Sequence, residues 1–266
     1  MVAAGLIVML GCIADSSIAQ GTDPALSAAL SDPARPAEAR ARDAVRHPLQ
    51  ELTFLGLKSS QTVVELWPGG GYWTDILGPY LAAHGRLYDA LPARSSQAEE
   101  NAGAARWRTH YLANRDHYGS IVETALGADH FEIAPPGSAD LVLTFRNLHN
   151  WMGAGYAPQA LAACFRALKP GGILGIEEHR AGNDRAQDPK ADDGYVRQDY
   201  TIALAKQAGF ELVASSEMNA NPRDTKDWPK GVWTLPPTFA LGDQDRAHYA
   251  AIGEADNFVL KFRKPR

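Results

Sequence analysis

The chain has 266 residues, 45% of them apolar and 21% charged, and its 26 Lys and Arg against 31 Asp and Glu give a net charge of −5. That length suits one large domain or two small ones and is enough to bury a sizeable core. The composition excludes collagen-like, disulfide-framework and disordered classes. With only Cys12 and Cys164, no multi-cysteine zinc site can form. No run of Lys and Arg stands out, which disfavours a nucleic-acid partner.

Residues 1–19 carry one charged side chain, Asp15, and an apolar run from Val2 to Leu10. The run is too short to span a membrane. It fits the hydrophobic part of a secretory signal, with Ser17-Ile18-Ala19 as a small-x-small cleavage site. Cleavage there would send the remainder to the periplasm or outside the cell. Leu10-Gly11-Cys12 also resembles a lipoprotein acceptor site through Cys12. No Lys or Arg precedes the run, so a buried N-terminal helix is the alternative.

Residues 20–36 read as a loose leader, and 36–47 as a polar helix ended by Pro48. The domain proper is expected from residue 56 to 266, after a leader and helix over 20–55. Short apolar runs follow at 62–66, 86–90, 121–126, 140–145, 173–177, 211–214 and 257–263. Helical spacing fills several gaps: Ile76, Leu77, Tyr80 and Leu81 after the first run, then Leu161, Phe165 and Leu168 before Pro170-Gly171-Gly172, then 200–208 before Gly209. Strands alternating with helices predict an α/β fold with a mainly parallel sheet covered on both faces. The interval 216–255 breaks the rhythm. It is dense in Pro, Trp, Asn and Asp, and reads either as a lid or as a surface excursion tied down by Trp228 and Trp233.

The first strand runs into Glu65-Leu66-Trp67-Pro68-Gly69-Gly70-Gly71. In open α/β sheets ligands bind at the carboxyl ends of strands. A glycine-rich turn there brings backbone amides close to a ligand, and the next helix N-terminus favours anionic groups. The 140–145 strand ends in Arg146, Asn147 and His149. A further strand ends in Glu177-Glu178-His179, where alternation of side chains places Glu177 and His179 on one side. His149 could serve as a general base, and Glu177 with His179 could act on a substrate. No HxxxH or HxH pair accompanies this cluster, so no metal site is expected.

Taken together, VVELWPGGGYWTDILGPYL (63–81), DLVLTFRNLHNW (140–151) and LKPGGILGIEEHR (168–180) resemble class I S-adenosylmethionine-dependent methyltransferases. With ARDAVRHP (41–48), GYVRQDYTIALAKQAGF (194–210) and NPRDTKDWPKGVWTLPP (221–237), the chain is similar to a bacterial group of signal-peptide-bearing predicted methyltransferases. The resemblance spans about residues 36–266 and implies a Rossmann-like seven-stranded fold. It also implies S-adenosyl-L-methionine as cofactor. Glu65, Gly69 and Gly71 match the family's acidic glycine turn, with Trp67 standing at the first glycine position. Leu91 occupies the place of the acid that ends the second strand, which leaves Asp89 as its substitute. Asp129 is the candidate for the adenine amine, and Asn147 also falls on the cofactor side. Tyr195, Arg197, Asn221 and Trp228 are the substrate-side candidates.

Two readings follow. One is an exported methyltransferase acting on a small molecule, since methyl transfer is chiefly a matter of alignment. The other is an exported protein of the same fold that has lost methyl transfer and binds or transforms another small ligand. The second is motivated by the changes at Trp67 and Leu91, and by a cofactor made in the cytosol.

Overall fold

The computed structural model describes residues 23–93 and 98–266. The signal-like segment and Cys12 lie outside these described residues. Within them no helix is long and apolar enough to cross a membrane.

The elements in chain order begin with α1 (Pro24–Leu30), α2 (Ala37–Arg40), α3 (Asp43–Arg46) and α4 (Pro48–Leu55). Next come β1 (Thr62–Leu66), α5 (Thr74–Leu81), β2 (Arg86–Pro92), α6 (Ala98–Tyr111), α7 (Arg115–Tyr118), β3 (Ile121–Leu126) and β4 (Ala139–Phe145). The rest are α8 (Leu148–Gly153), α9 (Ala157–Ala167), β5 (Leu168–His179), α10 (Gln198–Gln207), β6 (Glu211–Ser216), α11 (Arg246–Ile252) and β7 (Asn257–Arg263). One seven-stranded sheet has the order β3-β2-β1-β4-β5-β7-β6. The pairings among β1 to β5 are parallel, and β7 lies antiparallel to both β5 and β6. This is the expected seven-stranded, Rossmann-like architecture.

Alternation along the strands sorts the core. Val64, Leu66, Val142, Leu174 and Ile176 pack against α8, α9 and α10 around Trp151, Leu161 and Leu204. Val63, Leu87, Leu141 and Leu143 face α1, α4 and α5 through Leu26, Leu52, Leu55, Ile76 and Leu77. Both faces are therefore closed to water, and every functional group must be presented at the strand ends.

Two local readings need correction. The loose leader contains α1, which Asp23 caps by accepting from the Ala25 and Leu26 N–H groups, while Leu26 and Ala29 enter the core. The polar helix over 36–47 is two short helices, α2 and α3. It ends at His47, whose left-handed φ of 44° turns the chain into Pro48 at the start of α4. The 216–255 interval is ordered around its own small core of Val232, Leu235 and Tyr249, joined by Tyr195 and by the partly buried Trp228 and Trp233.

Candidate functional site

The turn after β1 is built on left-handed backbone. Trp67, Gly69 and Gly71 have φ of 51°, 58° and 85°. Gly71 must be glycine on two counts, because a Cβ there would also overlap the Tyr111 hydroxyl. Around Gly69 and Gly70 the space is open. Trp67 shares this left-handed backbone and borders the first lobe, with its indole tied to the end of β3. Its Nε1 donates to the Leu126 carbonyl at 3.0 Å, and its ring meets Trp151 edge-on at 6.3 Å.

Beneath the turn, Glu65 and Asp89 sit opposite each other in the β1–β2 register, both fully buried. The Thr74 hydroxyl lies 2.9 Å from Glu65 Oε2 and 3.4 Å from Asp89 Oδ2. Burial, and then the neighbouring Asp89 charge, push the Glu65 pKa well above its usual range; burial does the same to Asp89. The pair therefore holds a proton where exposed carboxyls would be ionised.

A cleft opens over the strand ends on both sides of Pro68-Gly69-Gly70. One lobe, of about 580 Å³, is walled by Trp73, Phe145, Arg146, His149, His179 and Trp233, among others. The other, of about 480 Å³, lies over Leu91 and Pro92 at the end of β2 and against Trp107 and Tyr111 of α6. Asp75 borders both lobes and accepts from the Tyr111 hydroxyl at 2.8 Å and the Tyr118 hydroxyl at 3.3 Å. Trp107 borders the second lobe, and its Nε1 is a buried donor with no partner among the described residues.

His149 and the end of β5 meet in the first lobe. His149 Nδ1 lies 2.9 Å from Glu178 Oε1, which also accepts from the His179 N–H at 2.8 Å. Glu178 Oε2 accepts from the His149 N–H at 3.1 Å. Burial pushes the Glu178 pKa up, but the His149 ring and then His179 outweigh it, and the carboxyl is held below its ordinary value. The Glu178 carboxylate engages His149 through Nδ1, which leaves Nε2 outside that bond. His179 Nδ1 is held by Asn257 Oδ1 at 2.7 Å, and burial depresses the ring to about 3. His179 is therefore a neutral hydrogen-bonding group. His149, Glu178 and His179 each place one potential ligand atom within 4.8 Å of the others, a metal-competent grouping that sequence spacing did not announce.

Several expected site residues lie elsewhere. Glu177 does not share a side with His179. It is buried beside Glu51, where Asn219 Nδ2 donates to Glu51 at 2.7 Å and to Glu177 at 3.1 Å. The strand ends at His179, and it is Glu178 whose carboxylate reaches back to His149 and to the His179 amide. Asp89 faces Glu65 below the turn and lines neither lobe. Asp129 is exposed in the turn between Gly127 and His130, outside both lobes. Asn147 does border the first lobe, but its Nδ2 ties β4 to β1 through the Leu66 carbonyl at 2.9 Å. Tyr195 and Trp228 both donate to Asp224, at 2.8 and 2.7 Å. Arg197 pairs with Asp199 at 2.6 Å. Asn221 donates to the carbonyls of Ile252 and Glu254 at 2.9 and 2.7 Å. Tyr195, Trp228 and Asn221 brace the 216–255 segment, while Arg197 ties the loop at 183–187 to the start of α10. That segment lines the cleft with other residues: Val232, Trp233, Pro236, Pro237, Thr238 and Glu254. Sequence reasoning missed Glu178, Trp107, Asp75 and Glu254. Only Glu178 had a local signal, its place in the Glu-Glu-His run.

No family model and no curated protein matches the sequence. Solved structures do match the fold. An S-adenosylmethionine-dependent methyltransferase from Aquifex aeolicus superposes with a TM-score of 0.53 at 16% identity, covering 91% of this chain and 98% of its own. An arsenic(III) S-adenosylmethionine methyltransferase from Chlamydomonas reinhardtii gives 0.51 at 16%, covering 91% and 74%. The 4+2 cyclase SpnF gives 0.53 at 17%, covering 84% and 81%. The chain thus has the fold of S-adenosylmethionine-dependent methyltransferases.

The Glu65–Asp89 pair yields a pH prediction. A carboxyl whose folded pKa is raised binds its proton more tightly in the fold. Its contribution is present below the unfolded pKa, near 4, and is lost as pH rises through the folded value. Asp89→Asn removes one such group, so its stability relative to wild type should improve steadily from about pH 4 upward, by about 1.4 kcal/mol for each unit of raised pKa. Urea midpoints measured across that range should diverge in favour of Asp89→Asn. A constant difference would contradict the shared-proton description.

Proposed function

We propose that this protein is an S-adenosylmethionine-dependent methyltransferase acting on a small-molecule acceptor. The observation that carries the reading is the two-lobed cleft, which meets at the glycine turn and has a proton acceptor on one side and an unused buried donor on the other. The residues present fit the cofactor. Gly69 and Gly70 offer open backbone, Asp75 an acceptor between the lobes, and Trp107 Nε1 a donor over the end of β2. When bound, S-adenosylmethionine supplies an electrophilic methyl group.

The chain's own contribution is positioning and proton handling. Trp73 stacks on Phe145 with centroids 3.9 Å apart, and these rings with Trp233 give the first lobe flat apolar walls that hold an acceptor and exclude water. His149 Nε2 takes the proton from the acceptor's nucleophilic atom, and the Glu178 carboxylate on Nδ1 stabilises the imidazolium that forms. His179, neutral and fixed by Asn257, accepts a hydrogen bond that orients the same group. The size of the first lobe, about 580 Å³, suits a small molecule.

A second reading keeps the fold without methyl transfer. Leu91 and Pro92 at the end of β2 favour it, since neither side chain can accept a ribose hydroxyl. The cyclase neighbour illustrates that fold alone does not fix the reaction.

Titration calorimetry with S-adenosylmethionine and S-adenosylhomocysteine separates the two readings. Methyl transfer predicts saturable heat with both. Trp107→Phe should weaken binding by about five-fold, the worth of about 1 kcal/mol for one hydrogen bond, while His149→Gln leaves affinity unchanged. No heat and no thermal shift at millimolar ligand would overturn the methyltransferase reading. Export to the periplasm or beyond belongs to the same proposal and rests on residues 1–19. Cell fractionation should find a shortened chain outside the cytosol, and a full-length cytosolic chain would contradict it.

A further inference from the structure

Three guanidinium groups converge on the first lobe, and between them they meet two acids, Glu254 and Glu177. Arg42 holds Glu254 through two bonds, Nε–Oε1 at 2.6 Å and Nη2–Oε2 at 2.8 Å. Arg146 Nη1 reaches the same Oε2 at 3.1 Å, and its Nε lies 3.8 Å from Glu177. Arg46 is different. Its side chain is 5% exposed, its Nε has no hydrogen-bond partner, and Glu254 comes no closer than 3.5 Å. The guanidinium instead lies over the Tyr72 ring, 4.4 Å from its centroid. Tyr72 is held in place because its hydroxyl donates to Asp43 at 2.6 Å. Asp43 is taken up by the fork of Arg35, at 2.8 Å to each oxygen. Among the described residues, then, Arg46 is a desolvated cation on the wall of the cleft without a hydrogen-bonded counter-ion. Burying a charge in that state is costly unless something pairs with it.

The other acids bordering this lobe do not serve Arg46. Glu65 is turned to Asp89 and Thr74, Asp75 is taken by Tyr111 and Tyr118, and Glu38 is exposed on α2. Of the three guanidinium groups, Arg42 and Arg146 reach Glu254 by hydrogen bonds and Arg146 also approaches Glu177, while Arg46 alone has no hydrogen-bonded acid. The ligand best matched to this wall is a planar two-oxygen anion, since a guanidinium fork pairs with a carboxylate through parallel bonds. Glu254 already shows this pairing with Arg42. The remaining walls, Trp73 on Phe145 with Trp67 and Trp233, suit a flat apolar body.

We infer that Arg46, flanked by Arg42 and Arg146, forms a carboxylate-binding subsite, so that the acceptor is a small aromatic or otherwise apolar-bodied acid anchored by its carboxylate and facing His149 with its nucleophilic atom. The acceptor role rests on the methyl-transfer reading, whereas the subsite itself does not.

The test uses the full chain with benzoate, 3-phenylpropionate, the neutral isostere benzamide and inorganic phosphate, by calorimetry and thermal shift, with S-adenosylhomocysteine titrated separately. The subsite predicts that at least one carboxylate binds and raises Tm while benzamide does not. Arg46→Gln should lose carboxylate affinity by at least about ten-fold, as expected for a buried charge-assisted pair, and Arg46→Lys should recover part of it. Should Arg46→Gln fold poorly, Arg42→Gln, on a half-buried side chain, must still weaken the carboxylate. Equal binding of benzoate and benzamide, no binding of either carboxylate, or unchanged affinity in Arg46→Gln would overturn the subsite. Tighter binding of phosphate than of both acids would overturn the carboxylate assignment. Carboxylate binding without S-adenosylhomocysteine binding would keep the subsite and sink methyl transfer instead.

Discussion

The structure depends on one junction, where β1 turns sharply over a buried carboxyl pair. Glu65 and Asp89 face each other across the first two strands, with the Thr74 hydroxyl from the start of α5 between them. This fixes the angle at which α5 leaves the sheet. Left-handed backbone at Trp67, Gly69 and Gly71 then carries the chain over the strand ends. The Trp67 indole, pinned to the Leu126 carbonyl, keeps its bulk on the β3 side. The turn is what splits the cleft in two, so both proposed ligands meet at a feature built largely from backbone.

The core explains why chemistry is confined to that edge. Strands buried on both faces can present polar groups only where they stop. Asn147, His149, Glu178 and His179 all lie just past or at the ends of β4 and β5. There the antiparallel β7 brings Asn257 beside His179 to hold its ring. Polar groups inside the fold, such as Glu51 and Glu177, share the Asn219 amide, and burial raises the pKa of both carboxyls.

Much of the fold was legible in the sequence, because continuous apolar runs separated by helical spacing have few ways to pack. The glycine turn, His149 and His179 were legible for the same reason: each sits at a strand end. Alternation puts Glu178 on the face of Leu174 and Ile176, toward α8, and Glu177 on the opposite face beside Glu51; the ring of His179, the last residue of β5, departs from it and joins His149. That Asp89 faces Glu65 and lies outside both lobes depends on strand register, which one sequence does not reveal. Arg46 and Glu254 lie far apart in sequence. Nothing local in ARDAVRHP reveals that its arginines will share a glutamate from the far end of the chain. The 216–255 candidates Asn221 and Trp228 are engaged within the fold for a related reason. The polar residues of that segment satisfy one another, and it is Trp233, Pro236 and Pro237 that face the cleft.

The central claim is that the glycine turn separates a cofactor lobe from an acid-binding lobe, and that both can be filled together. Titrating benzoate into the chain saturated with S-adenosylhomocysteine tests this directly. The account predicts that benzoate binds as well as it does to the ligand-free chain, or better, giving a ternary complex. Mutual exclusion, with benzoate heat abolished by saturating S-adenosylhomocysteine, would contradict it.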